Sequence, residues 1–175
     1  MYMLPDLDHL KPYHRYAQVK YPRCEWIQVP HYALYSYIKT GYLGCECNPG
    51  QRLWKLSDII DKLRERTGIE WACLGFKQSD SLNRRLMLRS YKDGKESICN
   101  AGKKFYPLST YKNSDILEYI SRNNLKNPEL YCVGKQSNAQ ELISPYYLTY
   151  LRDNYPQDLQ RIYAQFPRTR YIIQE

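Results

Sequence analysis

A helix-period repeat runs straight into a short apolar stretch, and that junction limits the folds open to the chain. Leu56, Ile59, Ile60 and Leu63 recur at helical spacing, with Ser57 and Asp58 in front, Lys62, Arg64 and Arg66 late, and Gly68 beyond. The end charges match the helix dipole, and the glycine marks the stop. Residues 69–74 then form an apolar run closed by Gly75, the pattern of a buried strand reached by a short turn. A helix alternating with a buried strand predicts a parallel sheet with helices on its faces.

The flanking segments fit that α/β reading. Apolar residues 1–4 stop at Pro5-Asp6 and read as the end of a buried strand. Leu7, Leu10, Tyr13 and Tyr16 suggest a helical segment containing Pro12; residues 26–29 read as a strand stopped by Pro30, and residues 32–38 as a helix ended by Gly41. Asn113-Ser114-Asp115 is a helix start with Ile116, Leu117 and Ile120 on the covered side. Leu159, Ile162, Tyr163 and Phe166 follow Pro156 at helical spacing and predict a helical C-terminus.

No repeat, low-complexity stretch or linker interrupts the 175 residues, so one domain, 1–175, is expected. Hydrophobic residues at 43% and charged residues at 25% exclude a disordered chain, and no 18-residue apolar run exists to span a membrane. The opening residues lack the features of a secretory signal, which predicts a soluble, cytoplasmic protein. Six cysteines are then expected as reduced thiols, and Cys45 and Cys47 form the only close pair. One pair is too few for a structural zinc site, so no metal is expected.

The net charge of +8 is unevenly placed. Residues 77–104 hold eight basic side chains (Lys77, Arg84, Arg85, Arg89, Lys92, Lys95, Lys103, Lys104) against Asp80, Asp93 and Glu96. A field this concentrated gathers anions. Ligands of parallel sheets sit beyond the carboxyl ends of strands, and the turn after Leu74 carries Gly75, Lys77, Asp80, Ser81, Arg84 and Arg85. Gly75 lets a backbone approach a ligand, Lys77 and Arg84 supply cationic donors, and Asp80 and Ser81 fix the turn or start a helix. Tyrosine is dense elsewhere, with eight in residues 2–42 and none in residues 43–90. That density suits packing first, and base stacking or a protein interface second. His31 reads as a packed or capping histidine rather than a general base.

The pattern Gly75-x-Lys77-x-x-Asp80-Ser81-x-x-Arg84 resembles the second signature of the phosphoadenosine phosphosulfate (PAPS) reductase-like family of the PP-loop ATP pyrophosphatase superfamily. Further residues are similar in order: Pro107-Leu108, Tyr111 where the family usually has Trp, Ser114-Asp115-Ile116, Tyr119-Ile120, Leu125, Pro128 and Leu130-Tyr131. The resemblance implies a Rossmann-like (adenine nucleotide alpha-hydrolase-like) parallel sheet with flanking helices. It implies that Lys77 and Arg84 face a nucleotide or its phosphate and sulfate groups.

The family's S-G-G-x-D-S loop has no counterpart, since no two glycines are adjacent, and the chain resembles the family from its second strand onward. The first βα unit is therefore expected to be missing. The reductase branch's C-terminal nucleophilic cysteine is also lacking in residues 168–175. These two departures predict a non-catalytic or split subunit with no catalytic residue of its own. It would bind an adenine nucleotide or another phosphate-bearing anion, together with a protein partner or a second copy. The alternatives are a nucleic-acid-associated protein or a small scaffold or inhibitor, such as a phage protein, acting on a host partner.

Overall fold

Helix signals that are strong in sequence become helices at nearly the same residues. The computed structural model describes residues 1–91, 96–126 and 142–173. Lys92, Asp93 and Lys95 of the basic window, Pro128 and Leu130-Tyr131 of the family-like stretch, and Cys132 lie outside them. Seven α-helices and a small three-stranded sheet make a mixed α/β chain among the described residues. They fall into two compact units, one of Met1–Lys55 with Lys126–Glu175, the other of Leu56–Leu125.

In the first unit, a 3-10 turn at Asp8–Leu10 leads into α1, Lys11–Lys20, whose first turn accepts Pro12 because its N–H has no helical partner there. Helix α2, Tyr32–Thr40, is capped by His31, whose Nδ1 accepts the Ala33 N–H at 3.2 Å. It stops at Gly41 in the left-handed region (φ 65°), where a Cβ would also lie 3.2 Å from the Cys47 Cβ.

The same unit holds two carboxyl-terminal helices, Pro145–Asn154 and Pro156–Gln165. Leu148, Leu151 and Ile162 from these helices, with Phe166 just beyond them, are fully buried and form a core with Leu43 and Cys45. Residues 26–29 do not become a strand, and residues 1–4 are not a buried one. Tyr2 makes a single parallel bridge to Pro30, its N–H donating to the Val29 carbonyl and its carbonyl accepting from His31, while Met1 is exposed. The pairing stops at this one bridge, because α2 begins at Tyr32 and takes the chain out of the extended conformation.

The second unit opens with α3, Leu56–Thr67, which buries Ile59 and Ile60 as its spacing requires. Strand β1, Ala72–Cys73, follows Gly68 and is shorter than the apolar run suggested; it is also not the buried strand expected, since it lies at the edge of the described sheet and leaves Ile69, Trp71 and Cys73 exposed. After it come α4, Leu82–Arg89, then β2, Ile98–Cys99, β3, Lys104–Phe105, and α5, Asn113–Arg122, in which Ile116 and Ile120 are half-buried but Leu117, expected on the covered side, is exposed. The order is β1-β3-β2. The expected parallel pairing is present between β1 and β3, with Ala72 opposite Lys104 and Cys73 opposite Phe105. The expectation of a wholly parallel sheet needs correction, because β2 joins β3 antiparallel through a tight turn at residues 100–103. A hairpin needs only such a turn, whereas a parallel return needs a crossover.

In chain order the two carboxyl-terminal helices of the first unit are α6, Pro145–Asn154, and α7, Pro156–Gln165, each entered through a proline; a 3-10 turn at Pro167–Tyr171 follows α7. One buried carboxylate ties α7 to the amino-terminal segment. Asp158 accepts the N–H of Asp8 at 2.8 Å, the N–H of His9 at 2.9 Å and His9 Nδ1 at 2.9 Å. One turn on, Arg161 donates to the carbonyls of Pro5 and Asp6. Burial pushes the Asp158 carboxyl up, but the donors from Asp8 and His9 outweigh it and hold it below the usual carboxylate range. Asp158 therefore adds stability at neutral pH that is lost as pH falls through its depressed value. Asp158→Asn is expected to cost about 3 kcal/mol in urea unfolding at pH 7, and the gap from wild type should narrow as pH drops below about 4.

Candidate functional site

Strand β1 delivers the chain to the turn that carries the sequence-derived site. Leu74 N–H donates to the Phe105 carbonyl, which fixes the end of the parallel pair, and Gly75 follows at once. A Cβ at Gly75 would meet only Leu108 at 3.9 Å, an ordinary contact, and the backbone there is not left-handed. The fold itself does not require glycine at this position.

Asp80 organises the turn. Its Oδ2 accepts the Lys77 N–H at 3.0 Å and Arg84 Nη1 at 2.8 Å, while Oδ1 pairs with Lys77 Nζ at 2.6 Å. Burial raises the Asp80 carboxyl, but the Lys77 and Arg84 donors more than compensate and keep it below its ordinary value. It is ionised throughout the neutral range. Ser81 is the N-cap of α4 and accepts the Arg84 N–H at 3.2 Å. Asp80 thus fixes the turn and Ser81 starts the helix. The Arg84 guanidinium also lies 4.3 Å from the centre of the Phe76 ring, which holds it flat without using its remaining N–H groups.

Gln78, outside the motif that the sequence singles out, is the hub behind the cations. Its carbonyl accepts Arg85 Nε at 3.4 Å, its Oε1 accepts Arg89 Nε at 3.1 Å, and its Nε2 donates to the Glu96 carboxylate. Both arginines are bonded here through Nε alone, so their Nη groups keep no protein partner among the described residues. The place of Arg89 beside Arg85 could have been found from spacing, since the two are one helical turn apart on α4. No sequence signal marks Gln78.

The turn docks on the segment that follows β3. Gln78 N–H donates to the Ser109 carbonyl at 2.9 Å, Ser79 Oγ donates to the Tyr111 carbonyl at 3.0 Å, and the buried Ser109 Oγ donates to the Glu96 carbonyl at 2.6 Å. The turn at residues 75–85 and the segment after β3, some 30 residues apart in sequence, therefore meet through hydrogen bonds to backbone carbonyls. Lys77, Arg84, Arg85 and Arg89 are gathered at the carboxyl end of β1 against one resident carboxylate, Asp80, with Glu96 behind Gln78.

Elsewhere, the Cys45 and Cys47 thiols face the carbonyls of Tyr37 and Lys39, and no group of three His, Cys, Asp or Glu is placed to hold a metal among the described residues. No described helix is long and apolar enough to cross a membrane. Neither family models, nor curated proteins, nor solved structures give a match to the chain.

Because Asp80 competes with any incoming anion, its removal separates folding from binding. Asp80→Asn is expected to lower stability by about 1 kcal/mol or less, the scale of partly exposed pairs. It should also strengthen sulfate or pyrophosphate binding several-fold in a calorimetric titration. Gly75→Ala should leave the thermal midpoint unchanged and weaken the same binding, if a ligand comes close to that backbone.

Proposed function

We propose that the chain is a PAPS reductase-like domain, in which a Rossmann-like, adenine nucleotide alpha-hydrolase-like unit binds a phosphate- or sulfate-bearing anion at residues 75–85. The observation that carries this reading is the docking of that turn on residues 109–111 at the end of a parallel strand pair. It brings together the two stretches whose order resembles the family.

The chemistry is binding. Arg84 offers N–H groups in a planar fork, Arg85 offers a second fork, and Lys77 adds a point charge, the donor set that suits phosphate and sulfate oxygens. Asp80 keeps two of the cations in place before a ligand arrives, at the cost of some repulsion toward it. Phosphoryl or sulfonyl chemistry also needs a positioned cradle of backbone N–H groups, and no glycine-rich loop in this sequence supplies one. On this reading the domain works as a non-catalytic or split subunit that binds its anion together with a protein partner.

A second reading, a nucleic-acid-associated protein, is favoured by the way the cations continue along α4 to Arg89. A run of phosphates fits such a row better than a single nucleotide does.

Calorimetric titration with ATP and with PAPS tests the first reading. Saturable binding is expected, with Lys77→Ala and Arg84→Ala each weakening it about tenfold, the loss of one charge-assisted hydrogen bond. Binding that survives both changes would overturn it. Titration with a 20-base DNA strand across a salt series decides the second. A steep negative slope of log affinity against log salt supports backbone binding, and a flat slope or no binding removes it.

A further inference from the structure

The first unit contains a cavity of about 430 Å³ beneath its amino-terminal segment, within the size range of small-molecule sites. Leu4, Leu7 and Leu142 give it an apolar wall, and its polar lining includes His9, His31 and Tyr147 beside Tyr2 and Tyr37. His9 is only 3% exposed and Asp158 is fully buried. Nδ1 of His9 faces the Asp158 carboxylate at 2.9 Å, so it carries a hydrogen. In the tautomer with that one ring hydrogen, Nε2 is the acceptor. Its partner is the Tyr147 hydroxyl at 3.4 Å, well beyond the usual distance of about 2.8 Å for a hydroxyl donor. A buried acceptor held so loosely is costly, and here it stands at the wall of an open space.

We propose that this cavity is a small-molecule site for a mainly apolar ligand bearing a hydroxyl group, which docks between His9 Nε2 and the Tyr147 hydroxyl. The ligand hydroxyl gives its hydrogen to Nε2 and accepts the hydrogen of Tyr147 in return, so that one long contact is replaced by two short ones. Asp158 acts as a positioning residue, since it fixes the His9 ring and its tautomer without touching the ligand. Two further observations fit. Burial raises the Tyr147 phenol well above its ordinary value, so it remains a donor at any physiological pH. Burial also lowers His31, and its Nδ1 is occupied by the Ala33 N–H, so the neutral ring presents Nε2–H as a second donor. The site lies in a different unit from the anion-binding turn and does not rest on that reading.

The test uses the full chain with histidine labelled in ¹⁵N and two near-isosteric probes, phenol and toluene. Phenol is expected to bind saturably, to shift the His9 Nε2 resonance, and to bind at least as tightly as toluene despite its lower hydrophobicity. Tyr147→Phe removes the hydroxyl that donates to the ligand while keeping the ring. It should weaken phenol binding several-fold and change toluene affinity less than twofold, because only phenol engages the polar pair. Ala33→Leu, which fills the cavity from α2, should abolish both. Tighter binding of toluene with no His9 shift, parallel changes for both probes in Tyr147→Phe, or undiminished binding in Ala33→Leu would each overturn the proposal.

Discussion

A carboxylate drawn away from water has to be met by donors, and each unit is arranged around one that is. Asp158 collects two backbone N–H groups and an imidazole from the amino-terminal segment, and Asp80 collects one backbone N–H, an ammonium and a guanidinium from its own turn. The consequences differ with depth. Asp158 is fully buried and closes a span of about 150 residues, so its charge is structural. Asp80 is near the surface and bonds within four residues of itself, so it orders cations that remain able to meet something else.

That difference explains why the turn reads as a binding element. A guanidinium that bonds through one amino group, lies on an aromatic ring and is joined along α4 by two more arginines has donors left over. The hub at Gln78 increases this effect, since it fixes Arg85 and Arg89 through Nε and leaves their forked ends to solvent. Holding such groups in place beforehand reduces the ordering cost that an anion would otherwise have to meet.

Much of the local structure was legible because its causes are local. Gly41 and His31 delimit α2, Pro156 opens α7, and Ile59 and Ile60 mark the buried stripe of α3, all by rules that act within a few residues. The site was legible in part for the same reason: Asp80 and Ser81 fix a turn and cap a helix within four positions. Features that escaped the sequence depend on distant pairing. The antiparallel β2 hides in a segment dominated by charge, and residues 26–29 have strand composition but no ladder to join. The role of Gln78 depends on Ser109 and Glu96, and that of His9 on Asp158, partners that no spacing rule connects.

Residues 75–85 are, on this reading, where the chain meets a phosphate-type anion. Backbone amide shifts in a ¹H–¹⁵N spectrum, recorded as inorganic pyrophosphate is added to the full chain, test that claim most directly. The largest changes are expected at residues 75–85, with the Arg84 and Arg85 side-chain Nε–H signals moving along with them. Shifts scattered over the basic surface, or concentrated anywhere outside that turn, would contradict it.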